Sequence, residues 1–155
     1  MSAYLLVKWL HVVSATVVFG TGLGIAFFQW FTYRHGNVQG VATMTRLVVR
    51  ADFVFTMPAV ILQFVSGLLL VHLLMLPWTT TWVALAIGLY FLVGACWVPV
   101  VAIQVRLAQM ADRASADGMP LPKEFHRAMR VWFLLVWPAF IGVLAILWLM
   151  VGKPA

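Results

Sequence analysis

The chain has 155 residues, 65% of them hydrophobic and only 9% charged, which excludes a soluble globular domain. Its formal net charge of +6 is scattered between apolar runs, so the basic residues read as topology determinants and not as a nucleic-acid-binding patch. The one cysteine, Cys96, sits in an apolar run and can build neither a disulfide framework nor a cysteine-based metal site.

The first apolar run, Tyr4 to Tyr33, is longer than the roughly 20 residues that cross a bilayer core and predicts a membrane-spanning helix. No basic region precedes it and it exceeds a signal core of about 7–15 residues, so the helix is expected to stay in the mature protein. From His11, helical steps reach Ser14, Ala15, Val18, Gly22, Ala26 and Gln29, a small and weakly polar face. Residues 34–52 form a basic connection whose middle, VATMTRLVV, predicts a short amphipathic helix lying at the membrane interface. Asp52 reads as the N-terminal cap of the second span or as a partner of Arg50.

The second span is predicted over about 52–76, stopped by Pro77, and a tight uncharged link makes the third its antiparallel neighbour. The third runs over about 82–116, its polar end RLAQMADRAS projecting beyond the membrane. Gly118 to Pro122 breaks it, and the fourth covers about 123–151. The fold class is therefore all-α, a single transmembrane domain over 1–155 built as a four-helix bundle. Eight basic residues lie at the end that holds loops 1 and 3, against Lys8 and Lys153 at the other. The positive-inside rule then puts both termini on the external side of a bacterial inner (cytoplasmic) membrane, with the lipid bilayer as first partner.

An ionisable side chain inside a span is a functional candidate. His11 lies about 10 Å below the outer end of the first helix and His72 about 9 Å below that of the second. Two imidazoles at one depth suit a single metal, although a lone membrane histidine can also simply hydrogen-bond across a helix pair. With no Cys, Asp or Glu at that level, haem fits better than a bare ion, because the porphyrin itself provides four donors. Gly20, Gly22 and Gly24 would make room for its flat macrocycle, or else serve helix packing. His35 and His126 read as solvated interface residues. Pro58, Pro99 and Pro138 sit about 9–12 Å from the inner ends of their helices, and a layer of kinks there would widen the inner half of the bundle.

The opening VKWLHV (7–12) resembles the start of the haem-containing, four-helix membrane protoporphyrinogen oxidases. Lys8, His11, Gly20 and Tyr33-Arg34-His35 correspond to features of that family. The resemblance implies a haem b ligand at His11, and it is confined to the first helix and the helix count. The basic residues that family carries around its third helix have no counterpart after Trp82. Copper-resistance membrane domains are a looser likeness. Over its whole length the chain is similar to an uncharacterised bacterial family of predicted four-helix integral membrane proteins, through FGTGLG (19–24), ADFVFTMPAV (51–60), GACWVPVV (94–101) and WPAF (137–140).

The expectation that follows is a membrane b-type haem protein held through His11 and His72, working in electron transfer or as a small oxidoreductase with a redox partner. The alternative is a cofactor-free partner subunit or small-solute carrier, and either could form a homo-oligomer.

Overall fold

A computed structural model describes residues 2–153. Within them the architecture is all-α, and four helices are long and apolar enough to cross a membrane. Helix α1 spans Ala3–His35 and opens with the Ser2 hydroxyl accepting from the Leu5 amide. Only Gly36 and Asn37 interrupt the chain before α2, Val38–Ala51, which the Asn37 side chain caps by accepting from Gly40.

The connection after α1 is thus two residues long, and α2 does not lie along the interface as expected. It runs through a π-helical segment, Asp52–Thr56, directly into α3, Met57–Leu73. Together they make one 36-residue span, Val38–Leu73. The cause lies in the sequence. No glycine or proline stands between Val41 and Pro58, and Pro58 cannot donate a backbone bond and crowds the carbonyl four residues before it. A wider turn, in which the Met57 N–H reaches back five residues to Asp52, takes up that strain without ending the helix.

Helix α4 spans Thr81–Ala116 and α5 spans Lys123–Gly152. Gly118, at φ +63°, adopts the left-handed conformation that ends α4 and that a side chain disfavours. The four spans alternate in direction, so the described ends of the chain and the α3–α4 turn share one end, the terminal end. The short connections rich in arginine share the other, the basic end.

At the basic end α2 inserts Val41, Ala42, Thr45 and Val48 as its buried stripe. Of these, Val41 and Ala42 join Leu107 and Ala111 of α4 and Phe125, Met129 and Trp132 of α5 in a core of buried side chains. Tyr33 donates or accepts a 2.9 Å bond with His126 Nδ1, tying α1 to α5, while Arg46 pairs with Asp112 at 2.9 Å across α2 and α4. His126 is therefore an interhelical contact, whereas His35 is exposed as expected. The basic end itself is packed, not widened. Pro58, Pro99 and Pro138 all stand on exposed faces, and α4 and α5 continue through theirs unbroken. Around the bundle, Trp9, Phe28, Val54, Phe91 and Leu134 are exposed, an apolar perimeter that matches lipid tails.

Candidate functional site

Toward the terminal end the four spans separate into two close seams, α1 against α3 and α4 against α5. Gly142 makes the second seam possible, since a Cβ there would come within 2.5 Å of Val93 Cγ2. Between the seams lies a cavity of about 410 Å³ whose wall is almost wholly apolar. Aromatic side chains span the gap that the backbones leave. Phe64 of α3 stacks on Tyr90 of α4 at 5.1 Å, and the Tyr90 hydroxyl donates to the Val60 carbonyl at 3.2 Å. Phe19 of α1 stacks on Phe140 of α5 at 5.1 Å.

His11 is the one histidine in the cavity lining. Its ring nitrogens bond across the α1/α3 seam, Nδ1 with Ser66 Oγ at 2.9 Å and Nε2 with Gln63 Nε2 at 3.0 Å. A single tautomer satisfies the whole network. The Gln63 amide donates to Nε2, so Nδ1 carries the proton and donates to Ser66, whose hydroxyl donates onward to the Leu62 carbonyl. Ser14 Oγ is positioned to donate to Gln63 Oε1 and to the His11 carbonyl. The ring lies close to Gly67, where a Cβ would stand 3.2 Å from His11 Cε1. Gly67, absent from the sequence reading, is the glycine that admits the imidazole.

The other sequence candidates do not gather here. His72 is exposed and absent from the cavity wall, so the structure does not bring it to His11. The physical reason is rotation: nine residues beyond Gln63 is two and a half helical turns, which puts His72 on the opposite face of α3. Gly20, Gly22 and Gly24 would each accept a Cβ with nothing within 4 Å, so none of them marks a close helix approach. Gly22 alone of the three borders the cavity, and Gly20 is exposed. No cluster of three or more metal-ligating His, Cys, Asp or Glu side chains occurs among the described residues.

Asp52 is the residue that sequence reasoning misplaced. It is neither a cap nor a partner of Arg50; it lies on the π segment, 4% exposed, at the floor of the cavity. The side chains of Thr56, Gln104 and Trp97 stand around its carboxyl group. The signal that could have found it is the uninterrupted helix-forming sequence from Val38, which puts Asp52 inside a span and not at its start. At the opposite mouth, Lys8 and Lys153 complete the lining, each with its ammonium over an aromatic ring, Tyr4 at 5.6 Å and Trp82 at 5.8 Å.

Among known families, the one described as "Predicted integral membrane protein (DUF2269)" matches residues 5–154. No curated protein and no solved structure matches the chain.

Proposed function

This chain belongs to that family of integral membrane proteins, and on that premise we propose that it holds a small, mainly apolar molecule inside the bilayer, between its two helix pairs. The carrying observation is the cavity itself. A concave, apolar space of about 410 Å³ with few, converging polar groups is the form that small-molecule sites take. The His11–Gln63–Ser66 network keeps the α1/α3 wall in place and puts hydrogen-bonding edges on it. The reading extends the small-solute carrier alternative and suits a bacterial cytoplasmic membrane, where such molecules dissolve in the lipid beside the protein.

The test is binding of an environment-sensitive apolar naphthalene dye to the full chain in mild detergent, against empty micelles. Saturable binding that Gly22→Leu weakens is expected, because Gly22 borders the cavity with free space above it. Binding no greater than to micelles refutes the reading.

A second reading, electron transfer or a small oxidoreductase reaction with haem b, rests on the presence of His11 in the lining. The residues fit that group in part. His11 would hold the group through Nε2, the nitrogen that now bonds with the Gln63 amide, while His72 stands on the far face and would not take part. A bound haem would bring one-electron chemistry, with the helices setting ligation and excluding water. A Soret band after purification with haem supplied, lost in His11→Ala, is the observation that would support it.

A further inference from the structure

The cavity is apolar along its walls but not at its floor. There Asp52, the one acid in the cavity lining, sits among Thr56, Gln104 and Trp97, and part of the hydrogen-bonding capacity of these side chains is unused. Thr56 Oγ1 and Gln104 Oε1 are buried without a hydrogen-bond partner, in residues 4% and 2% exposed. Trp132 Nε1 is likewise without one, in a residue 1% exposed that also lines the cavity. Buried polar atoms are nearly always satisfied, so two unpartnered oxygens beside one acid mark a place built for something else. The acid also lacks a cation. Arg50 is exposed, and the one salt bridge among the described residues joins Arg46 to Asp112.

We propose that the floor of the cavity, formed by Asp52, Thr56 and Gln104, receives the ammonium head of an amphipathic amine whose apolar body fills the space above. This rests on the cavity's holding a small molecule and names the class of that molecule. The donor and acceptor counts favour it. An alkylammonium carries three N–H donors, and the floor offers a carboxylate and two oxygen acceptors that nothing else uses. A transition metal would want nitrogen, sulfur or several carboxylate donors, which are absent here. The two lysines fix the orientation. Gln63 is level with His11 and Ser14, and Asp52 precedes it by eleven residues, so Lys8 lies more than about 20 Å along the bundle from Asp52. A ligand with one positive charge settles head-down, its uncharged end toward the mouth that Lys8 and Lys153 flank at the terminal end.

The probes are 1-naphthylmethylamine and the matching alcohol 1-naphthylmethanol, measured by equilibrium dialysis at neutral pH with the full chain in mild detergent and with empty micelles as blank. The amine should bind about ten- to a hundredfold more tightly than the alcohol, the worth of one hydrogen-bonded charge in a dry site. Asp52→Asn should remove that preference and leave alcohol binding intact. Thr56→Val keeps the shape and the acid, and should weaken the amine more than the alcohol. It decides the matter if Asp52→Asn fails to elute as a folded species. Equal affinity for the two probes in the parent protein overturns the ammonium site while the cavity reading stands. Failure of both probes to bind removes the cavity reading as well. An amine preference that survives both Asp52→Asn and Thr56→Val overturns the placement of the head.

Discussion

Replacing His11 with Ala removes two interhelical hydrogen bonds, of 2.9 Å to Ser66 and 3.0 Å to Gln63, and leaves the Gln63 amide without its acceptor. Side-chain bonds between membrane helices average about 0.6 kcal/mol and reach about 1.7, so losing both should cost roughly 1–3 kcal/mol. The void beside Gly67 adds about 24 cal/mol for each Å³ that stays open. Reversible unfolding in mixed micelles, by titration with a denaturing detergent, measures the sum. A double-mutant cycle with Gln63→Ala then isolates the pair and should return a coupling of about 0.6–1.7 kcal/mol. His72→Ala, on an exposed face, should stay within about 0.5 kcal/mol of the parent. Additivity of His11→Ala and Gln63→Ala to within about 0.3 kcal/mol would refute the network. So would a His72→Ala variant as unstable as His11→Ala.

Gly142→Ala should destabilise the protein by about 1–3 kcal/mol through its clash with Val93, and Val93→Ala should recover most of the loss in the same unfolding assay. Gly20→Ala and Gly24→Ala, with open space around both, should be neutral or slightly stabilising, by no more than about 1 kcal/mol. Haem added to the purified protein should not give a low-spin bis-histidine spectrum, because His72 lies outside the cavity, and His72→Ala should leave the absorbance unchanged. A reporter fused after the C-terminus should be active only in the form that works outside the cell, and one inserted near Ser115 only in the cytoplasmic form; the reverse pattern would invert the orientation expected from the basic residues.

The spans were legible because length and hydropathy are one-dimensional properties, and the apolar runs are long enough to leave no other fold. Pro77 and the Gly118–Pro122 stretch punctuate the chain where the structure also turns. What failed were inferences that needed rotation about a helix axis or a knowledge of neighbours. His11 and His72 share a depth but not a direction. Gly20, Gly22 and Gly24 look like a packing face, yet α1 makes its close contact with α3 through Ser14 and His11 instead. Asp52 reads as a cap because a charged residue beside an apolar run usually marks a helix start, whereas here it lies inside a span. The amphipathic stripe of α2 was correctly visible, but a stripe does not say whether protein or lipid covers it, and here Leu107 and Ala111 of α4 lie in the core it joins.

The π segment also sets the phase of everything that follows it. It carries one residue more than an α-helix would need to cover the same turn, and each residue is worth about 100° of rotation. Phe53, Val54 and Phe55 are all exposed, so substitutions among them should be tolerated. Deleting any one of them is a different perturbation. If the helix closed into regular α geometry, α3 would swing by about 100° relative to α2. Gln63 and Ser66 would then leave the face that meets α1, or else Val41, Thr45 and Val48 would leave the face that meets α4. Disulfide cross-linking between Ser14→Cys and Gln63→Cys should therefore succeed in the full-length chain and fail after deletion of Val54; an undiminished cross-link would show that the helix absorbs the loss elsewhere. At these three positions the number of residues, more than their identity, decides which faces of the bundle meet.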